Sequence, residues 1–251
     1  MKTKKRKWGW KPDVPDQRDF PFNKLMRLAR RLPISVDLRE DCSPVEDQGS
    51  LGSCTACASA GLVEFLDLRS GVAFDASRLF IYYNEREMEG TIDSDSGAYL
   101  RDAIKTLVNE GVCDEYLWPY TISKFRDRPS NSCYVDALDH QVLAYYRIHT
   151  LGEMKTCLAS GLPFMFGFSV YESFVSDTVD NTGKVPMPRR NEQMLGGHAV
   201  MAVGYRDSDK RFIIRNSWGS GWGMDGYFTM PYAYLDSRKL SGDFWAITRQ
   251  E

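Results

Sequence analysis

Residues 48–54 read QGSLGSC, and a helical pattern begins at the last of them. Small or apolar side chains then recur at the i, i+3, i+4, i+7 spacing of an amphipathic helix. They are Cys54, Cys57, Ala58, Gly61, Leu62, Phe65 and Leu66. Ser53 stands at the expected N-cap and Gly71 at the expected C′ position. The sequence therefore predicts a helix over residues 54–70, with Cys54 in its first turn.

Cys54 occupies a position that favours an activated thiol. The N-terminus of a helix carries a partial positive charge and unpaired N–H groups, and both stabilise a thiolate. A nucleophilic cysteine also needs a base within hydrogen-bond reach. Of the three histidines, His140 and His149 are expected to be structural, whereas His198 opens an apolar strand directly after two glycines. Those glycines leave room for another group to approach the imidazole.

A third polar group completes this arrangement. Asn216 follows an apolar strand and begins the stretch NSWGSGWG over residues 216–223. Its amide oxygen is suited to hold the tautomer of His198 without adding charge. Trp218 is expected to shield that hydrogen bond from water. Cys54, His198 and Asn216 together predict a nucleophile, a base and a residue that orients the base.

The other cysteines indicate neither a metal nor a cofactor. The pair Cys54-x-x-Cys57 is compatible with a redox motif or half of a zinc site. However, the chain has no second Cys-x-x-Cys, and the βαβ context of a redox motif is missing. The remaining cysteines are expected to be small buried hydrophobic residues, with one or two disulfides left open as an alternative.

Helical and strand patterns occupy different halves of the chain. Further helices are predicted after Ser77, from about Gly97 to Gly111 and around 154–160. Short β-branched or aromatic runs predict strands at 163–170, 198–205, 212–218, 227–230 and 244–248. Helices in the first half and strands in the second predict an α+β fold, with a cleft where the halves meet.

Composition excludes several classes of protein. The chain has 251 residues, 43% of them hydrophobic and 26% charged, which is ordinary for a folded globular protein. Its net charge of −2 gives no reason to expect a nucleic-acid partner. No apolar run is long enough for a transmembrane helix. A monomer is expected. Localisation stays open: a Sec signal is not recognisable, which favours the cytoplasm by default, but export or release is an alternative.

The charge is unevenly distributed along the chain. Residues 1–31 carry a net charge of +8, and the remaining chain carries −10. A nuclear-localisation patch, a solvated tail and an extended segment bound to the acidic body are the three interpretations. The bound segment is favoured because Trp8, Trp10 and Phe20 are costly to leave in water.

These motifs resemble the papain family of cysteine peptidases. The matching pieces are residues 48–54, His198 with Gly204-Tyr205, and the run from Asn216 to Tyr227. His198 and Asn216 follow Cys54 by 144 and 162 residues, close to the roughly 130–150 residues of that family. The resemblance covers residue 32 to the end and implies a papain-like α+β fold. A mainly helical half, about 32–145, would face a β-barrel-like half, about 146–251, across the active-site cleft.

The resemblance also implies roles for individual residues. Cys54 would be the nucleophile, paired as a thiolate with protonated His198, while Asn216 orients the imidazole and Gln48 donates to the oxyanion. A peptide or protein substrate would be bound by a larger set of residues. The ladder partners are Gly97 and Ala98, the pocket residues are Leu100, Gly167 and Ala199, and Gly197, Trp218 and Trp222 complete the substrate-binding set.

The resemblance extends to the N-terminus and to the reaction. Residues 10–19 are similar to the short leader of microbial members, so residues 1–31 would be a prosegment or a retained extension across the cleft. The implied activity is that of an endopeptidase inhibited by its own N-terminal segment. A thiol acyltransferase or peptide ligase on the same scaffold and a non-catalytic peptide-binding homologue are the alternatives. Leu51 stands where the family usually has a cysteine, so the family disulfide is not expected.

Overall fold

A computed structural model describes residues 6–26 and 31–248. Its helices, in chain order, are α1 (Cys54–Arg69), α2 (Arg78–Met88), α3 (Leu100–Asn109), α4 (Asn131–Ala137), α5 (Leu151–Ala159), α6 (Asp177–Thr182) and α7 (Tyr232–Asp236). Its strands are β1 (Trp10–Lys11), β2 (Ser35–Asp37), β3 (Ala98–Tyr99), β4 (Ala144–Ile148), β5 (Phe164–Tyr171), β6 (Met194–Arg206), β7 (Arg211–Arg215), β8 (Tyr227–Pro231) and β9 (Ser241–Thr248).

Helix α1 is the centre of the helical half. It packs against α2 and α3 on one side and against β6 on the other. Because both sides are covered, even Glu64 and Asp67 are buried, so α1 lacks the exposed polar face that its spacing predicts. Glu64 is satisfied there by the Ala76 N–H at 3.1 Å and by the Ser43 hydroxyl. Burial on all sides fixes where the first turn of α1, and hence Cys54, lies.

The second half is built on an antiparallel sheet. Six strands follow the order β4-β9-β5-β6-β7-β8, and β2 adds to β6. Over the described residues the sheet stays open and does not close into a barrel. Its inner face carries a cluster of phenylalanines, among which Phe166 and Phe244 stack at 5.5 Å. The predicted α+β, papain-like class is confirmed, with an open sheet in place of the barrel-like half.

The predicted helix at 97–111 begins three residues later than the sequence indicated. Gly97 has a φ of +67°, which favours glycine, and Ala98–Tyr99 is extended. This short strand pairs in parallel with β1, with Trp10 opposite Ala98. A pairing partner 88 positions away in the chain therefore competes with the local helical pattern and delays the start of α3.

The N-terminal segment is part of the fold. Phe22 is fully buried in the core of the β half, whereas Phe20 is 62% exposed. The prediction that Phe20 is sheltered from water is therefore wrong. Asp13, in the same segment, is buried, and its carboxylate accepts from Arg147 at 2.7 Å and from the Trp245 indole at 3.0 Å. An apolar anchor and a buried ion pair thus tie this segment to the body.

The cysteines form no disulfide, and His140 packs within the helical half. All six cysteines are free thiols. His140 stacks on Phe74 at 3.6 Å, and its Nδ1 lies 3.3 Å from Asp67. Within the described part of the chain, no helix is long and apolar enough to cross a bilayer.

Candidate active site

Cys54 begins α1 and lies at the junction of the two halves. Its side chain is fully buried, and its Sγ accepts the Ala199 N–H from β6 at 3.4 Å. Ser53 precedes the helix as predicted, but its hydroxyl does not cap it. Instead, the Ser53 hydroxyl lies 2.5 Å from the Tyr120 hydroxyl. The first-turn N–H groups near Cys54 are therefore not taken up by the Ser53 side chain.

His198 precedes Ala199 on β6, so the fold brings it beside Cys54. Its Nε2 lies 2.8 Å from Asn216 Oδ1. The same Asn216 oxygen accepts the Ser217 N–H at 2.9 Å, which fixes the amide orientation. Nε2 must then carry a proton, and neutral His198 keeps its lone pair on Nδ1. Nδ1 is buried and has no hydrogen-bond partner among the described residues, so it is the free basic nitrogen of the site.

Gln48 lies on the other side of Cys54 and is held by two neighbours. Its Oε1 accepts from the Ser217 hydroxyl at 2.7 Å, which directs Nε2 away from Ser217. Nε2 donates to the Leu51 carbonyl at 2.9 Å and lies 3.5 Å from the carbonyl oxygen of Lys7. A carbonyl of the N-terminal segment therefore faces the amide group predicted to bind the oxyanion.

Aromatic rings surround the His198–Asn216 hydrogen bond. Trp218 stacks on His198 with a centroid separation of 5.0 Å and an interplanar angle of 24°. Trp222 packs edge-on against Trp218 at 5.0 Å, and Phe174 contacts both indoles. This packing buries the amide–imidazole bond and holds the imidazole plane, as expected from the two tryptophans in the sequence.

The N-terminal segment crosses the site at Gly9. A Cβ added at Gly9 would lie 1.8 Å from the Gly52 carbonyl oxygen and 3.2 Å from Cys54 Sγ, so only glycine fits. The Gly9 carbonyl accepts the Ala98 N–H at 2.7 Å. A Cβ at Gly97 would lie 2.0 Å from that same Gly9 oxygen. The two predicted ladder residues, Gly97 and Ala98, are therefore both in contact with Gly9.

Trp10 fills the predicted pocket. A Cβ at Gly167 would lie 2.0 Å from its indole, and one at Gly197 would lie 2.5 Å from its carbonyl oxygen. The Trp10 indole N–H donates to Asp243 at 3.0 Å. Leu100 is fully buried at the start of α3. Asp243 was missed by the sequence analysis, because nothing in the local pattern of β9 shows which strand residue faces the cleft.

Asp95 is a second residue that the sequence did not reveal. Its carboxylate accepts from the Gly52 N–H at 2.9 Å and the Tyr82 hydroxyl at 2.6 Å. It also pairs with Lys7 at 2.6 Å. Asp95 thus connects the loop before Cys54 with the N-terminal segment. The opposite net charges of segment and body are the only signal that pointed to such a pair.

Burial under the segment determines the protonation of the site. Desolvation raises the pKa of the Cys54 thiol to about 12, although N–H groups of Ala199 and Gly9 act in the opposite direction. Desolvation also lowers the pKa of His198 to about 4, against the Asn216 hydrogen bond, and nearby Arg6 lowers it further. With the segment in place, burial therefore favours the neutral forms of both the thiol and the imidazole.

One group of carboxylates outside the cleft converges, namely Glu46, Glu64 and Asp75. Arg78 pairs with Glu46, and Arg215 lies 3.8 Å from Glu64. Two guanidinium groups therefore already offset most of the negative charge of this cluster. The arrangement is that of a partly buried ion-pair network and offers no argument for a metal ion.

Comparison with known proteins agrees with this geometry. The family model described as papain family cysteine protease matches residues 32–239. An uncharacterized peptidase C1-like protein of Acanthamoeba polyphaga mimivirus is 42% identical over 98% of this chain and 88% of its own length. The thiol protease aleurain of Arabidopsis thaliana is 31% identical over 79% of this chain and 56% of its own length.

Solved structures give the same assignment. Xylellain, a cysteine protease from Xylella fastidiosa, has a TM-score of 0.92 and 41% sequence identity, and the match covers 100% of this chain and 99% of that one. A procathepsin B from Trypanosoma congolense has a TM-score of 0.74 at 20% identity, covering 97% and 87% of the two chains, which shows the fold alone. The chain is a member of the papain family of cysteine proteases.

Proposed function

We propose that this cysteine peptidase is an endopeptidase whose Cys54, His198, Asn216 and Gln48 perform the chemistry, and that its own N-terminal segment holds it inactive. The proposed inhibition by the N-terminal segment rests on one observation, which is that Gly9 lies against Cys54 while the Lys7 carbonyl faces Gln48. A substrate cannot reach the sulfur while these residues remain in place. We call residues 6–13 the covering segment.

The proposed reaction starts when the covering segment leaves the cleft. Water then solvates Cys54 and His198, so the thiol proton moves to Nδ1 and a thiolate–imidazolium pair forms. The sulfur attacks the peptide carbonyl, and Gln48 Nε2 and the Cys54 N–H stabilise the oxyanion. The imidazolium gives its proton to the leaving amine, which breaks the C–N bond. Water, activated by neutral His198, hydrolyses the thioester and regenerates Cys54.

Asn216 and Trp218 support this sequence of proton transfers. Asn216 accepts from Nε2 in both the neutral and the charged imidazole, so it leaves Nδ1 as the nitrogen that exchanges the proton with Cys54 throughout. Trp218 stacks on the same ring and excludes water from the hydrogen bond. The neutral amide stabilises imidazolium less than a carboxylate would, which leaves the proton available for the leaving amine.

The direction of the covering segment disfavours cleavage of the segment itself. Trp10 lies at Gly167, in the pocket assigned to the second residue before the cut bond, and its carbonyl oxygen lies against Gly197. Trp8 lies on the other side of Cys54, with its ring 5.7 Å from Trp218. The segment therefore passes through the cleft in the opposite direction to a substrate. The carbonyl groups of the segment are then not presented to Cys54 Sγ in the orientation that attack on a substrate carbonyl requires.

A single glycine allows the proposal to be tested in the full chain. In Gly9→Ala, the added methyl group would overlap the Gly52 carbonyl, so the covering segment must leave the cleft. We expect Gly9→Ala to hydrolyse an internally quenched peptide, the wild-type chain to be slower, and Gly9→Ala with Cys54→Ala to be inactive. Gly221→Ala is the matched control, because a Cβ there meets nothing within 4 Å.

The products decide between the alternatives. Mass spectrometry of the reaction, with a peptide amine added as acceptor, separates hydrolysis from ligation. Hydrolysed ends support the peptidase, and predominantly joined products would replace it with a ligase. If Cys54 of Gly9→Ala reacts with an epoxysuccinyl inactivator but no peptide is cut, a non-catalytic binding protein is the better description. Equal activity in wild type and Gly9→Ala would refute self-inhibition while keeping the peptidase.

A further inference from the structure

Arg6, at the beginning of the covering segment, lies in a site made of two tryptophans and a carboxylate. Its guanidinium carbon is 4.0 Å from the Trp218 ring centroid and 5.8 Å from that of Trp222. Its Nη1 is 3.0 Å from Asp180 Oδ1. A planar cation held over an aromatic face and against a carboxylate combines two favourable interactions. We call Asp180, Trp218 and Trp222 the cation subsite.

The cation subsite is held in place by contacts that do not involve Arg6. The Trp222 indole N–H donates to Asp180 Oδ1 at 2.5 Å, and the Gly223 N–H donates to the Asp180 carbonyl at 2.8 Å. Phe174 packs against both tryptophans, at 5.3 and 5.8 Å. The carboxylate and the two rings therefore keep their arrangement when Arg6 leaves. A preorganised site of this kind is available to another cation.

Its position relative to the reacting atoms is defined by two contacts. Trp218 stacks on His198, so the cation subsite adjoins the residue that protonates the leaving amine. Trp10, four residues further along the covering segment, lies at Gly167 in the pocket assigned to the second residue before the cut bond. The cation subsite is thus on the opposite side of Cys54, where the residues after the cut bond must lie.

We propose that the cation subsite selects peptide substrates with arginine or lysine at the first or second position after the cut bond, and that Arg6 mimics this side chain in the covered enzyme. The inference rests on the proposed peptidase function and adds a substrate class to it. The fixed acidic group is Asp180, and the planar ring faces favour arginine over lysine. Acidic side chains are rejected at this position, because Asp180 repels them.

Quenched peptides that differ only in the two positions after the cut bond test the preference. With the full-length Gly9→Ala chain, we expect kcat/KM to be about tenfold higher for arginine than for glutamate at one of the two positions. Asp180→Asn should remove most of this difference, and Asp180→Lys should reverse it. Asp177→Asn, which removes a carboxylate from the same short helix, is the matched control and should leave the preference unchanged.

A second measurement tests the cation subsite without peptide hydrolysis. In the full chain, Arg6→Ala and Asp180→Asn should each speed the reaction of Cys54 with an epoxysuccinyl inactivator. The double variant should react no faster than the faster single variant, because both changes break one interaction. Independent, multiplicative effects would mean that Arg6 and Asp180 do not act together, and would overturn the proposed cation subsite.

The outcomes separate this inference from the proposed function. If Gly9→Ala cleaves peptides with arginine, glutamine and glutamate equally well at both positions, the substrate preference is wrong and the peptidase stands. If Cys54 is labelled but no peptide is cut, the peptidase function fails, and the substrate preference falls with it. Preference for arginine that persists in Asp180→Lys would also overturn the assignment, because another residue would then be responsible.

Discussion

Asn216 Oδ1 lies 2.8 Å from His198 Nε2 and also accepts the Ser217 N–H at 2.9 Å. The backbone therefore fixes the amide, and the amide fixes the imidazole. The hydrogen bond raises the pKa of His198, in opposition to the larger lowering caused by burial. Asn216 is thus expected to act on the reaction through the position and the proton affinity of His198.

In Asn216→Ala, made in the Gly9→Ala chain, we expect kcat to fall by about ten- to a hundredfold. The alkaline limb of the pH–rate profile should move to lower pH, since imidazolium loses its proton more readily without the hydrogen bond. Asn216→Asp should shift that limb in the opposite direction. A loss of kcat with no movement of either limb would show that Asn216 is merely structural.

The pKa shifts under the covering segment predict how closure depends on pH. In the closed state, with the covering segment in the cleft, the pKa of the Cys54 thiol is raised to about 12 and the pKa of the His198 imidazole is lowered to about 4. In the open enzyme the proposed thiolate–imidazolium pair carries one proton, as the covered thiol and neutral imidazole do, so closure does not depend on pH while that pair persists. At alkaline pH the open imidazolium loses this proton whereas the covered thiol, with its raised pKa, keeps it, so closure weakens as the pH rises further.

Protection of Cys54 should therefore be constant around neutral pH and weaken in alkaline solution. The quantity to measure is the labelling rate of Gly9→Ala divided by that of the wild-type chain, because this ratio cancels the intrinsic pH dependence of the thiol. We expect the ratio to fall once the open imidazolium loses its proton. A ratio that is constant from pH 5 to 10 would mean that closure leaves the protonation of Cys54 and His198 unchanged.

Lys7 and Asp95 form an ion pair that joins the covering segment to the body at 2.6 Å. Burial opposes the charge on Asp95, but hydrogen bonds from Lys7, Tyr82 and the Gly52 N–H hold its pKa below the usual range. A lowered carboxyl pKa contributes stability that is present above about pH 4 and lost below it. This pair therefore does not weaken in mildly acidic solution. Protonation of Asp95 is therefore expected to release this pair only in strong acid.

In Lys7→Gln we expect the labelling rate of Cys54 to rise a few-fold at low salt, and the effect to shrink at about 1 M salt. The gain is modest because Lys7 is 54% exposed and its charge is largely screened. Arg18→Gln removes the same charge from the N-terminal region but only breaks a local pair with Asp16, so it serves as the control. An equal increase in both variants would show that net charge, and not this pair, holds the segment.

The sequence was sufficient for the fold class and for the candidate triad, for a physical reason. Cys54 begins α1, Asn216 follows the end of β7, and His198 is the first residue of the buried stretch of β6, so local patterns place all three. The covering segment is different, because its path depends on Gly9, where a Cβ would overlap the Gly52 carbonyl. Hydrophobic periodicity does not reveal such a requirement for glycine. Tertiary pairing with β3 also moved the start of α3 from Gly97 to Leu100.

Charge balance indicated that the basic segment binds the acidic body, but not which residues meet. Asp95, Asp180 and Asp243 come from three distant parts of the chain, and each binds the covering segment, Asp243 through both Trp10 and the Asp13 N–H. A net charge does not say where the individual charges lie in the fold, so it cannot distinguish these carboxylates from exposed ones. Phe20 illustrates the same limit for hydrophobicity, since it is exposed while Phe22, two residues later, is buried.

Phe22 and Gly9 separate two roles of the N-terminal region, namely stability and inhibition. Phe22 is fully buried in the core cluster of the β half, beyond the cleft. Phe22→Ala should lower the free energy of unfolding by about 3–5 kcal/mol, because it leaves a cavity in a packed core. Phe20→Ala is the matched control and should change the free energy of unfolding by less than about 0.5 kcal/mol, since Phe20 is 62% exposed.

The two positions should respond oppositely in the two assays. Gly9→Ala should raise the labelling rate of Cys54 by about ten- to a hundredfold, because its methyl group overlaps the Gly52 carbonyl and displaces the segment. Phe22→Ala should leave that rate within a few-fold of wild type in denaturant-free buffer while shifting the urea unfolding midpoint. If Phe22→Ala instead exposes Cys54 as strongly as Gly9→Ala does, Phe22 and the covering segment act as one unit. Removing residues 1–31 would then expose the site only by destabilising the fold.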